Sequence, residues 1–362
     1  MQDGEITIDA QGDAIQSDGD MTVEGGVIGA VTLGGSANAP EHAGDFFGGP
    51  PGWFNDTTSE DETASAKGIK AAYDLTITGG RISLDTYDDA IHADGNVTIS
   101  GEPFIGVATG DDGIHANETL TIEGGDIQIT QSYEGIEGLF IEISGGDIYV
   151  KASDDGMNAN GDEMFGPGFG GLAGVSGELE DANTYLHITG GHVLVDAAGD
   201  GLDSNGLLLV EGGDIFVSGP SNSMNGALDS GTTARITGGK VVAIGASGMD
   251  ETFDSESTQP TIKCTFNTYL DGSDPVTLTD SSGNAIAEFS IEVEGKRYNS
   301  VVISSPDLTI GETYTLTCGE ETVEIELTDI STTVRQTAAG SSETSASGGF
   351  GGFGGPGGPP RR

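Results

Sequence analysis

Carboxylates recur at one place in this chain, the turn that opens a repeated phrase: "DDAIHADG" (88–95), "DDGIHANE" (111–118), "YEGIEG" (133–138) and "SDDGMNA" (153–159). Aligned on that turn, one column reads Asp13, Lys67, Asp89, Asp112, Glu134, Asp155, Asp200 and Gly226, with Asp88, Asp111 and Asp154 one place earlier. Three places later the column reads Gln16, Lys70, His92, His115, Glu137, Asn158, Asp203 and Asp229. If the copies stack as neighbouring strands, about 4.8 Å apart, adjacent carboxylates repel. The repulsion is roughly 1 kcal/mol per pair in water and severalfold more when partly desolvated. Something must offset it. Hard oxygen donors converging from successive copies suit Ca²⁺, which takes about 6–8 oxygens at about 2.3–2.6 Å. Asp-Gly is also simply a good turn former. That accounts for one Asp per turn, but not for paired Asp in three copies or for Glu134 and Glu137.

Two other residue pairs in these columns could do chemistry. His92 and His115 fall at equivalent places in successive copies, and as a metal pair they would suit zinc or copper. No Cys or third His completes such a site, so a ladder of outward polar side chains is expected. Lys67 and Lys70 head the acidic columns. They serve either as counter-charges within the ladder or, in an enzyme, as a catalytic base.

These residues need a scaffold that repeats. The acidic turn recurs at steps of 23, 22 and 21 residues from Asp89 to Asp155, and eight copies of the phrase span Asp13 to Gly226. A fixed period in the twenties is the mark of a solenoid, whose units bury their apolar faces only by stacking. Within a copy the apolar residues alternate, as in Leu120, Ile122, Ile127 and Ile129, in short runs rich in Thr, Val and Ile. That pattern is strand-like. Two apolar ladders are expected: Ile69, Ile91, Ile114, Ile136 and Met157, and Ile77, Ile99, Ile122, Ile143 and Ile188. Gly-Gly pairs at 79–80, 124–125, 145–146, 190–191, 212–213 and 238–239 suit a tight corner with backbone angles other residues resist. The expected architecture is all-β, a right-handed parallel β-helix of about eight coils, since parallel crossovers are nearly always right-handed. A leucine-rich repeat is the rival, but its Asn-bearing motif and helical half are missing.

The expected organisation is a β-helix over residues 1–247, with Gly-rich insertions at 34–66 and 161–183. The first insertion carries Phe46, Phe47, Trp53 and Phe54, the second Phe165 and Phe169. Residues 248–335 alternate with turns, as expected of a small antiparallel β unit that closes an otherwise exposed sheet edge. Residues 336–362, ending "GGFGGFGGPGGPPRR", are low-complexity and expected to be disordered.

Composition narrows the function. The 59 acidic and 12 basic residues among 362 give a net charge of -47. This argues against nucleic acid, which needs a basic footprint, and against an anionic membrane. Cations or basic partners are the natural counter-charges, although an acidic, halotolerant surface would have the same composition. No apolar run reaches the ~18–20 residues that span a bilayer. No signal peptide precedes the repeats, so the chain either stays in the cell or lacks its natural N-terminus. Cys264 and Cys318 allow one disulfide or none.

The run "SAKGIKA", "DDAIHADGNVTISG", "DDGIHANETLTIEGG", "SYEGIEG", "SDDGMNA", "GDGLDSNG", "NGALD" and "SSPDLTIGETYTL" resembles the bacterial carbohydrate-binding-domain family of secreted clostridial type. The resemblance covers about residues 5–320. It implies a calcium-binding parallel β-helix, like pectate-lyase-type helices, that binds cellulose and polygalacturonate at the cell surface or outside the cell. It implies calcium at the acidic turn, carried here to Asp88, Asp89, Asp111, Asp112, Glu134, Glu137, Asp154 and Asp155, with Asp200 and Asp203 continuing the columns. His92, His115 and Trp53 are candidate polysaccharide contacts, and a monomer is expected. Family members usually have further N-terminal coils and an export signal, so a truncated chain is expected.

Three functions compete. The first is a non-catalytic, Ca²⁺-dependent binder of polysaccharide. The second is a polysaccharide lyase, in which Ca²⁺ acidifies the proton next to a uronate carboxylate and a base abstracts it. The candidates are Lys67, Lys70, Arg81 and Lys151, of which Lys67 and Lys70 sit at the acidic turn. The third is a structural adhesin or spacer.

Overall fold

The computed structural model describes residues 1–40, 42, 65–160, 183–290, 295–337 and 341–346. Among these the architecture is all-β, and the one helical element is a 3-10 turn at Ser36–Asn38. No described helix is long and apolar enough to cross a membrane.

Strands one phrase apart lie side by side and parallel. Ile69–Ala71 pairs with Ile91–Ala93, which pairs with the start of Ile114–Gln131, which pairs with Ile136–Ala152. The series continues through Met157–Ala159, Leu202–Ser204 and Leu228–Ser230. Its register follows the sequence repeat. Gln16, Lys70, His92, His115, Glu137, Asn158, Asp203 and Asp229 are successive partners. Alternation then decides what is inside. Ile69, Ile91, Ile114, Ile136 and Met157 form one fully buried ladder, and Ile77, Ile99, Ile122, Ile143 and Ile188 another. Each such side chain contributes about 1.5–3 kcal/mol by leaving water, so a single continuous apolar core runs through the stack.

The Gly-Gly corners work by two separate constraints, seen at Gly145 and Gly146. A Cβ on Gly145 would lie 2.4 Å from the carbonyl oxygen of Glu123 in the preceding copy. Gly146 has φ +100°, where side chains are strained. The backbone stays hydrogen-bonded through the corner, so Ile114–Gln131 and Ile136–Ala152 each run as one strand across it, with register shifts at the glycines.

The stack ends in further strands rather than a bare edge. Lys240–Gly245 pairs antiparallel with Arg297–Ser304, which pairs antiparallel with Thr261–Asp271. Thr261–Asp271 in turn pairs parallel with Ser331–Thr337. A separate antiparallel sheet holds Ala285–Phe289, Val276–Asp280, Thr313–Cys318 and Glu321–Glu326. Lys296 pins this region to the stack. Its Nζ donates to the carbonyls of Ala197, Ser218 and Gly219 and sits 3.1 Å from Asp196. Cys264 and Cys318 are both free and buried.

Part of the tail departs from expectation. Ser341–Ala346 is a strand antiparallel to Ser331–Thr337, because an unpaired strand edge offers backbone partners that low-complexity sequence can still use. Residues 43–64 and 161–182 lie outside the described residues, and with them Phe46, Phe47, Trp53, Phe54, Phe165 and Phe169.

Candidate functional site

The acidic turns stack as tightly as the strands. Backbone N–H groups of Gly68, Ala90, Gly113, Gly135 and Gly156 donate to the carbonyls of Asp89, Asp112, Glu134, Asp155 and Asp200 in the following copy, at 2.8–3.0 Å. Every carboxylate of the column is therefore held one strand spacing from the next. The ladder divides into two halves that solve the resulting repulsion differently.

In the first half the protein supplies its own cations. Lys67 Nζ lies 2.8 Å from Asp88 Oδ1 and 2.6 Å from Asp89 Oδ2. Both ring nitrogens of His92 face carboxylates, Nδ1 at 2.8 Å from Asp89 and Nε2 at 3.0 Å from Asp94. His115 Nδ1 lies 3.0 Å from both Asp112 and Glu137, and the two histidine rings sit 4.9 Å apart. Burial alone would lower Lys67, but Asp89 and Asp88 hold it above the ordinary lysine range. Burial would raise Asp89, and His92 and Lys67 outweigh it, so this carboxyl falls below its usual value. His115 is raised to about 11, burial being overcome by Asp112 and Glu137. Its charge in turn lowers Glu137 against the effect of burial. Asp112, more deeply buried and crowded by Asp89, Glu137 and Asp111, still stands well above the usual range, and Asp111 is pushed up to about 6 by burial and Asp89.

In the second half no described cation touches the ladder. One oxygen each of Asp155, Asp200 and Asp203 lie within 4.8 Å of one another. Burial, then neighbouring carboxylates, raise Asp155 and Asp200 to about 7 and Asp203 to about 8. Glu134 is raised to about 9 by burial and by Glu137, Asp112 and Asp155. What these groups receive is hydrogen bonds. Asp155 accepts from the N–H of Asp200 at 2.6 Å, Asp200 from the N–H of Gly226, and Glu134 from the Asn158 amide. Asn158 is 5 % exposed, and its Oδ1 is buried without a hydrogen-bond partner. A buried amide oxygen left unpaired costs about 1–3 kcal/mol. Asn158 is the register partner of Asp203, one of the three converging carboxylates.

The structure thus brings Asp88, Asp89 and Asp111 together, Asp112, His115 and Glu137 together, and Asp155, Asp200 and Asp203 together. Asp154 falls outside these groups, and Lys70 stands half-buried between Gln16 and His92 without an ion pair to a described residue. Sequence reasoning missed Asp94, which the repeat does not place, and the role of the Asn158 amide. It also missed Glu251, which accepts from the N–H and hydroxyl of Ser230. Glu251 was within reach, since it stands 22 residues after Asp229.

The family described as "Carbohydrate-binding domain-containing protein" matches residues 1–113 and 106–300. The chain belongs to this carbohydrate-binding family. No curated protein and no solved structure matches it. The matched span contains the whole acidic ladder, from Asp13 to Glu251, so the ladder lies within the carbohydrate-binding family domain rather than beside it.

Proposed function

We propose that this protein binds an acidic polysaccharide such as polygalacturonate without cleaving it, in a Ca²⁺-dependent manner, outside the cell or at its surface. The stack is taken as a right-handed parallel β-helix of about eight coils, which the parallel, in-register pairing supports. The observation that carries the calcium reading is the second half of the ladder, where Asp155, Asp200 and Asp203 converge and Asn158, whose amide oxygen is buried and unpartnered, is the register partner of Asp203. Oxygen-only donors fit Ca²⁺. The first half fits it poorly, because Lys67 and the two histidines already neutralise it and offer nitrogen donors. Bound calcium would supply the positive charge through which an anionic chain can approach a protein of net charge -47. Asp155, Asp200 and Asp203 hold the charge side of that site, and Asn158 the neutral oxygen.

Against lyase chemistry stands the state of Lys67. A base must be free to accept a proton, and Lys67 is clamped by two carboxylates that favour its protonated form. The test incubates the protein with polygalacturonate and with cellulose, each with Ca²⁺ or chelator, following binding by pull-down and unsaturated product by absorbance. Retention on polygalacturonate with Ca²⁺, loss with chelator and no product is the expected result. Binding indifferent to chelator overturns the calcium dependence, and steady product release overturns the non-catalytic reading.

A further inference from the structure

A second face of the stack is built differently from the acidic ladder. Across Glu5–Ala10, Val27–Thr32, Arg81–Thr86, Phe104–Thr109 and Ile114–Gln131 one outward row reads Thr7, Gly29, Ser83, Gly106 and Gln128, each the register partner of the next. From Thr7 to Gly106 these side chains are small, and a trough of about 560 Å³ runs across the strands. Further along, the same row continues as Tyr149, Leu194, Phe216 and Val242. There the C-terminal strands cover it, with Leu194 and Phe216 packed on their core and Phe216 stacked on Phe289 at 5.5 Å. Among the described residues this face is therefore covered along Leu194 and Phe216 and uncovered along Thr7, Gly29, Ser83 and Gly106.

The wall of the open part carries one positive group, Arg81, and one carboxylate, Asp85, which accepts from the N–H of Ser36. Arg81 and Phe104 are register partners, and the guanidinium lies 3.9 Å over the ring centroid, a cation–π contact that fixes it. Arg81 makes no ion pair with a described residue, although acidic residues outnumber basic ones 59 to 12. The Phe104 ring leans over the trough floor, since a Cβ on Gly106 would lie 3.2 Å from its edge. A Cβ on Gly29 would meet nothing within 4 Å.

We propose that this trough takes one extended glycan chain bearing carboxylates, its rings on the Gly29–Ser83–Gly106 floor and a carboxylate on Arg81. The inference rests on the polysaccharide-binding reading above and adds a second contact surface, separate from the calcium-bearing ladder. Three observations choose the occupant. The chain belongs to a carbohydrate-binding family. The exposed guanidinium has the planar, forked donors that match a carboxylate. The strands of the floor are spaced about 4.8 Å apart, close to the length of one pyranose unit in an extended chain, so successive sugars meet successive strands. Phe104 is a positioning residue, acting through Arg81.

The test measures, by calorimetry in Ca²⁺, the affinity of the full chain for oligogalacturonate and for cello-oligosaccharide of equal length, in wild type, Arg81→Ala and Gly29→Leu. Gly29→Leu fills the trough at a position with open space and unstrained backbone, and thermal melting checks that both variants are folded. The expected result is wild-type preference for oligogalacturonate and at least a tenfold loss in each folded variant. Variants that bind within twofold of wild type overturn the trough while leaving polysaccharide binding intact. Wild type that prefers the neutral oligosaccharide overturns the carboxylate assignment. Wild type that binds neither overturns this inference together with the reading it rests on.

Discussion

The Asn158 amide nitrogen donates to both carboxyl oxygens of Glu134, at 3.1 Å each, which commits one arm of the amide to the preceding copy of the repeat. The other arm, Oδ1, is left buried and unpaired beside the copy that carries Asp203. A neutral oxygen between carboxylates lowers their mutual repulsion without adding charge, as a cation site requires. Asn158→Ala should therefore weaken calcium binding about tenfold, equivalent to about 1.4 kcal/mol. Asp203→Asn should do so at least as strongly. Calorimetry on chelator-stripped protein measures both, and unchanged affinity in the pair would remove the second half of the ladder as the ion site.

Without calcium, stability should fall as pH rises. Glu134, Asp155, Asp200 and Asp203 are raised to about 9, 7, 7 and 8 from ordinary values of 4.5 for Glu and 3.8 for Asp. Between those limits the native state holds protons that the unfolded chain has released, so the free energy of unfolding decreases with pH. The loss is complete above the folded values and absent below the unfolded ones. Calcium, which binds the ionised form, should reverse the trend near pH 8. At a hundredfold excess over its dissociation constant it contributes about 2.7 kcal/mol. Denaturant melts at several pH values, with and without chelator at constant ionic strength, test this. Coincident curves at pH 8 would remove calcium as the compensating charge.

Glu134 and Glu137 share the segment "YEGIEG" but should respond oppositely to amidation. Glu134 is held protonated at neutral pH, and glutamine resembles that neutral form, so Glu134→Gln should change ion-free stability by less than about 0.5 kcal/mol. Glu137 is ionised against His115 at 3.0 Å. Glu137→Gln removes the negative charge that faces a partly buried imidazolium and should destabilise by about 1.5–3 kcal/mol, the range for hydrogen bonds to charged groups. Equal effects would show that the division of the ladder into a neutralised and an open half is wrong.

Much of this arrangement was legible in the sequence, and the reason is the period. A repeat of about 22 residues fixes which side chains become neighbours, so the column from Gln16 to Asp229 could be written down before any coordinates. The period says nothing about side-chain direction within a column. Lys67 reaches forward to both Asp88 and Asp89, and Asn158 turns its amide nitrogen back to Glu134, through rotamers that spacing does not encode. Non-repeating contacts were invisible for the same reason. Lys296 lies 77 residues or more from the carbonyls it clamps, and the trough emerges only when Gly29, Ser83 and Gly106 are seen in register under Phe104.

Lys67 and Lys70 separate counter-charge from catalysis. Lys67 is 14 % exposed and its partner Asp89 3 %, so removing the ammonium strands a buried carboxylate. Lys67→Met should destabilise by about 3–5 kcal/mol, the range for breaking a buried pair from one side. Lys70 is half-buried and makes no ion pair with a described residue, so Lys70→Met should stay within about 0.5 kcal/mol. Calcium should partly rescue neither, because its proposed ligands lie in the other half of the ladder. Wild type and Lys70→Met should release no unsaturated uronate from polygalacturonate. A Ca²⁺-dependent turnover in wild type that vanishes in folded Lys70→Met would identify Lys70 as a base. Turnover lost only in Lys67→Met would need the melting curve beside it, since a base held between two carboxylates must first leave them.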